Sequence, residues 1–239
     1  MEKNLISISG SAGHGKDTVA KIIQWLLSGS GLGSIPLEDI AKDSRHLDAF
    51  LLDSSGFEIK KFAGKLKEIA SILTGVPIHK WEDQEFKNEN MPREWWVPNF
   101  TCNEDPYDPV TYRLFLQVLG TEAIRDTIHK DTWVNALFSD YRPQKLSEYN
   151  PSRWIITDTR FPNEFKAIKE RGGLMLKVVR TEKDSAGNRV LSNHIRSEIH
   201  SSETALEGYE FDHIIFNDDG ILELAHKVKN VLIKEGFLV

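Results

Sequence analysis

The sequence predicts an α/β fold, a central parallel sheet flanked by helices, on three observations. Short apolar runs alternate with amphipathic stretches of helical length. A glycine-rich turn joins the first apolar run to the first such stretch, and the second half of the chain repeats the strand–helix alternation. At 239 residues and 40% hydrophobic content, one core carrying insertions buries roughly 70% of its unfolded surface and needs no disulfide or structural metal.

The elements follow in order. Leu5-Ile6-Ser7-Ile8 is an apolar run ending at Gly10, a buried strand. Thr18 to Leu27 carries Val19, Ile22, Ile23 and Leu26 at helical spacing, and Ser28 to Ser34 is a Gly/Ser break. Phe57 to Phe62 alternates apolar and charged residues as a second strand. Lys65 to Leu73 is a helix with Gly75 placed to cap it. Residues 76–110 hold five of the nine prolines and three of the six tryptophans without periodicity, and read as an inserted subdomain. Trp81, Trp95 and Trp96 fit the core of that insertion better than a base-stacking platform. Tyr112–Ile128 and Thr132–Tyr141 are helical. Then come strand Trp154–Thr157, helix Asn163–Arg171, strand Leu174–Val179, a polar segment Thr181–Ser202, strand His213–Phe216 and helix Ile221–Lys234.

Composition narrows the function classes. The net charge is −6, which argues against a nucleic-acid binder with its strongly basic face. The single cysteine, Cys102, makes no internal disulfide and fits a reducing compartment. No apolar run is long enough for a signal peptide or a membrane span, so the expectation is a soluble cytoplasmic protein. His194 and His200 lack metal-ligand spacing, and neither H-E-x-x-H nor G-x-S-x-G occurs.

The chemistry sits in Gly10-Ser11-Ala12-Gly13-His14-Gly15-Lys16-Asp17-Thr18, a G-x-x-x-x-G-K loop with Thr18 one place later than the usual hydroxyl. Glycines let the backbone curl so that N–H groups surround a phosphate, and the helix that follows offers its positive end to the same anion. Lys16 reaches the β- and γ-phosphates; Thr18 or Asp17 serves Mg²⁺, with both open. Asp158 ends an apolar strand, where the ligand crevice of a parallel sheet lies, and is a further metal candidate. Arg160 and Arg180 project near the same sheet edge and suit charge neutralisation during phosphoryl transfer. The polar segment at about 181–205, with Arg189 and Arg196, suits a lid that excludes water.

Four blocks, in order along nearly the whole chain, carry a resemblance: the loop with its Gly-Lys-Asp-Thr ending; Gln117-Val118-Leu119-Gly120-Thr121-Glu122 followed by Asp131-Thr132-Trp133; Asp158-Thr159-Arg160 continuing to Asn163-Glu164; and Phe211 to Leu224. Through them the chain resembles the deoxynucleoside monophosphate kinases of tailed bacteriophages. The resemblance implies one P-loop kinase domain over 1–239, with an acceptor-binding insertion at about 63–130 and the lid. It implies ATP at Gly10, Gly13, His14, Gly15, Lys16, Asp17 and Thr18, with Asn217 and Asp218 near the adenine. Acceptor-binding candidates are Lys61, Gln117, Arg125 and Arg160. The expected reaction is ATP + dNMP → ADP + dNDP with Mg²⁺, in the host cytoplasm for a phage protein; a homodimer is compatible with this reading. The rivals are a dephospho-coenzyme A or phosphomevalonate kinase and a non-kinase ATP-binding regulator. An acidic chain that holds two phosphate-bearing ligands must also gather its positive charge locally, with Lys16, Arg125, Arg160, Arg180, Arg189 and Arg196 as the candidates.

Overall fold

Leu5–Ser9 forms strand β1, with all five residues buried, as expected of a strand covered on both faces. The computed structural model describes residues 4–28, 56–98, 106–142, 151–183, 189–191 and 205–238. Around β1 stand β2 (Glu58–Lys60), β5 (Trp154–Ile156), β6 (Leu174–Lys183) and β8 (His213–Asn217). All pair in parallel, in the order β2-β5-β1-β6-β8. From β1 the chain first builds one side of the sheet (β2, β5) and then the other (β6, β8). The end of β1 is therefore the topological switch point, where parallel sheets bind ligands.

Helices α1 (Lys16–Leu27) and α7 (Ile221–Lys234) cover one face. Their apolar residues, Val19, Ala20, Ile22 and Ile23 with Leu224, Ala225, Val228 and Leu232, close a core on Ile6, Ile8, Ile155, Leu176, Val178 and Ile215. Helix α6 (Pro162–Glu170) packs on the other face, where Phe165 meets Tyr209 and Phe211 edge-on. These elements make up one compact unit, residues 1–61 and 141–239.

The second compact unit is Phe62–Asp140. It contains α2 (Gly64–Thr74), α3 (Gln84–Asn88), the short antiparallel pair β3 (Val97–Pro98) and β4 (Tyr107–Asp108), α4 (Tyr112–Val118) and α5 (Thr132–Phe138). Helix α2 ends at Gly75 in the left-handed conformation, φ 72°. Its aromatic residues do form a core. Trp81 is fully buried and touches Phe86, Tyr112 and Phe115, with centroids 5.6–6.2 Å apart. Trp95 packs on Phe115, and Trp96 donates Nε1–H to the Met91 carbonyl at 2.8 Å.

Three elements differ from expectation. The helix expected over 112–128 is α-helical only to Val118 and continues as a π-helix, Leu119–Asp126. There Gly120 approaches Leu66 so closely that a Cβ would lie 2.7 Å from Leu66 Cδ2, and Trp133 Nε1 donates to the Gly120 carbonyl at 2.8 Å. The strand expected to end at Val179 runs on to Lys183 and pairs antiparallel with β7 (Arg189–Leu191). β-Branched Thr181 and Val190 favour extended backbone, although the stretch is polar in composition. The strand expected over 57–62 is shorter, Glu58–Lys60.

Candidate active site

β1 delivers the chain to the glycine-rich loop, whose backbone L side chains avoid: φ is 147° at Gly10, 75° at Gly13 and 93° at Gly15. Close approach also requires two of these glycines. A Cβ on Gly10 would sit 2.3 Å from the Val178 carbonyl oxygen, and one on Gly15 would sit 2.5 Å from Asn217 Nδ2. Strands β6 and β8, distant in sequence, thus form the wall behind the loop. His14 Nδ1 lies 3.2 Å from the same Val178 carbonyl. Asn217 Nδ2 donates to the His14 carbonyl at 3.0 Å, and Arg180 Nη1 to the Gly13 carbonyl at 3.5 Å.

Helix α1 starts at Lys16 with Gly15 as its N-cap and no side chain accepting from its first N–H groups. Those donors and the positive helix end therefore face the loop. Lys16 Nζ donates to the carbonyls of Gly10 at 2.6 Å and Ser11 at 2.8 Å, which holds the ammonium over the loop. Asp17 is exposed and 3.6 Å from Lys61 Nζ, while Thr18 is half-buried.

Asp158 and Arg160 are half-buried on the turn after β5. Two buried contacts fix that turn. Ser7 Oγ and Thr159 Oγ1 share a 2.6 Å hydrogen bond that ties it to β1. Glu164, 2% exposed, accepts the backbone N–H groups of Arg160 at 2.8 Å and Phe161 at 3.1 Å. Sequence reasoning gave Glu164 no role; the available signal was a carboxylate in the first turn of a helix that opens with Pro162.

Between the loop, Arg160, β6 and the segment before β8 lies a cleft of about 210 Å³, lined among others by Gly10, Ser11, Arg160, Lys177, Glu207 and Phe211. Of the six cations expected near the ligands, Lys16 and Arg180 hold loop carbonyls and Arg160 lines the cleft. Arg125 lies on the π-helix and Gln117 on α4, both half-buried, in the second unit. The Arg189 side chain and Arg196 lie outside the described residues, as do 184–188 and 192–204 of the expected lid. Asp218 is engaged elsewhere: its carboxylate, 2% exposed, pairs with Lys227 of α7. Among the described residues, no three His, Cys, Asp or Glu side chains cluster as a metal cage. Asp17 and Thr18 at the loop and Asp158 after β5 carry oxygen donors of the kind that suit a hard cation. No helix among the described residues is long and apolar enough to cross a membrane.

Comparison with known proteins agrees with this geometry. A family model described as deoxynucleotide monophosphate kinase matches residues 68–228. The deoxynucleoside-5'-monophosphate kinase of Escherichia phage T5 is 28% identical over 251 residues, covering 95% of this chain and 94% of that protein. The deoxynucleotide monophosphate kinase of Enterobacteria phage T4 is 30% identical over 125 residues, 52% of this chain and 46% of that protein. With more than half its length matched by the family model and its glycine loop seated at the switch point of a five-stranded parallel sheet, the chain belongs to the deoxynucleotide monophosphate kinase family.

Proposed function

We propose that this chain transfers the γ-phosphoryl group of ATP to the phosphate of a deoxynucleoside monophosphate, giving ADP and a deoxynucleoside diphosphate. The observation that carries the reading is the loop Gly10–Thr18, braced by Val178 and Asn217 with Arg160 beside it. Donor phosphates lie against the loop N–H groups and the start of α1, where the helix end favours anions. Lys16 exchanges the Gly10 and Ser11 carbonyls for oxygens of the donor. Arg160, its backbone held by Glu164, takes the acceptor phosphate, and Arg180 neutralises charge as the phosphoryl group passes. A phosphate monoester is already nucleophilic near neutral pH, so the residues position and neutralise, and no strong base is required. Mg²⁺, held by the Thr18 hydroxyl with Asp17 or Asp158, supplies charge neutralisation on the donor phosphates. Gln117 and Arg125 of the second unit, together with Lys61, are the proposed contacts to the rest of the acceptor. Arg189 and Arg196 are the proposed lid cations, and Asn217 is the proposed neighbour of the adenine, with the Asp218 carboxylate turned away to Lys227.

ADP release measured with a panel of deoxy- and ribonucleoside monophosphates, dephospho-coenzyme A and phosphomevalonate tests this. We expect Mg²⁺-dependent turnover with one or more deoxynucleoside monophosphates and none with the last two acceptors. Turnover with either of those and silence with every deoxynucleotide would replace the reading by its rival.

A further inference from the structure

The sheet face toward α6 is apolar at Leu5, Ile156 and Met175, all buried, but carries a polar patch beside them, where a helix-covered parallel sheet is ordinarily apolar. β1 places Ser7 and Ser9 there, both buried, and β6 places Lys177. The run Leu174-Met175-Leu176-Lys177-Val178-Val179 holds one charge, and that charge is half-buried inside the central sheet. Such burial is costly without a partner. Among the described residues no carboxylate lies within ion-pair distance of the Lys177 ammonium; its contact is the Phe211 ring, 5.5 Å to the centroid. Nor does any described carboxylate pair with the Arg160 guanidinium, which lines the same cleft.

Register says what Lys177 faces. Its partner across the β1–β6 ladder is Ser9, the residue before Gly10, so about 4.8 Å of strand spacing separates its backbone from the start of the loop. The cleft puts Lys177 and Arg160 together with Gly10 and Ser11, and among the described residues Glu207, which is solvent-exposed, is the one carboxylate lining it. This cleft is on the α6 face, whereas α1, whose N-terminus takes the donor, packs on the opposite face. At about 210 Å³ it is smaller than the roughly 300–1,000 Å³ of a pocket for a whole small-molecule ligand, a size suited to the phosphate end of a nucleotide.

We infer that Lys177 is a phosphate-binding residue of the acceptor subsite, gripping the acceptor 5′-phosphate together with Arg160. The inference rests on the reaction proposed above and adds a residue to it. Two cations without carboxylate partners among the described residues converge on the loop; an anion between them removes the cost of leaving Lys177 half-buried.

The test is steady-state kinetics of the full-length chain with Lys177→Met, Lys177→Gln and Lys177→Arg, varying ATP and the deoxynucleotide separately. Calorimetric binding of the deoxynucleotide without ATP completes it. Losing one charge-assisted contact should lower kcat/KM for the deoxynucleotide roughly 10- to 100-fold in the Met and Gln variants. Their KM for ATP should stay within about twofold, the affinity for deoxynucleotide alone should fall in parallel, and Arg should restore most of the loss. An unchanged deoxynucleotide KM and affinity in Met and Gln, or an equal loss for both substrates, overturns the assignment. A wild-type protein silent with every deoxynucleotide overturns the proposed reaction itself, whereas an active wild type with indifferent variants removes only Lys177.

Discussion

Replacing Lys16 with alanine is expected to lower kcat/KM about 10²- to 10³-fold, on the order of 3 kcal/mol of transition-state stabilisation, as for loss of one preorganised donor. Nζ already sits over the loop, 2.6 and 2.8 Å from two of its carbonyls. A modest rearrangement therefore takes it from a backbone oxygen to a phosphoryl oxygen. Because Lys16 and the two residues whose carbonyls it holds are all half-buried rather than part of the core, thermal stability should change little. Steady-state kinetics beside a thermal melt separate the two effects. Arginine at this position should restore only part of the rate, since a planar fork does not reproduce a compact point charge. A variant with near-wild-type kcat/KM would remove Lys16 from the chemistry.

The second large effect is structural. Gly10→Ala puts a methyl 2.3 Å from the Val178 carbonyl oxygen at φ 147°. The atom it meets is backbone in the central sheet, so it has no flexible tip to swing aside. Overpacking and a backbone conformation foreign to alanine should together cost about 2–5 kcal/mol. For a chain of this size that lowers Tm by about 5–15 °C, with activity falling alongside. Gly172→Ala is the control: it has φ +70° and nothing within 4 Å, so strain alone acts and about 1–2 kcal/mol is expected. Equal Tm losses in the two variants would mean that the loop is not wedged against β6.

The fold was readable where its signals are local. Apolar runs, glycine spacing and helical periodicity lie within a few residues of one another, and so β1, the glycine loop, α2 with its Gly75 cap and the closing helix α7 could be read directly. What was hidden depends on neighbours in space. Lys177 reads as one charged residue in a strand until β6 is set in register with Ser9. Glu164 has no role in the sequence pattern until its carboxylate is seen to accept the Arg160 and Phe161 N–H groups. The π-helix at Leu119–Asp126 keeps an ordinary amphipathic pattern in sequence, and the contacts that accompany it, Gly120 against Leu66 and the Trp133 hydrogen bond, come from residues distant in the chain. Thr181–Lys183 looked like the start of a polar lid because hairpin pairing with Arg189–Leu191 leaves no mark in composition.

The central claim is that the loop at the end of β1 delivers the γ-phosphoryl group of ATP to a deoxynucleotide. Transfer of label from the γ-position of ATP, followed by chromatography of the nucleotides, tests it most directly. Label is expected in the β-position of a deoxynucleoside diphosphate, dependent on Mg²⁺ and nearly abolished in Lys16→Ala. Label released as inorganic phosphate with the deoxynucleotide unchanged would contradict it.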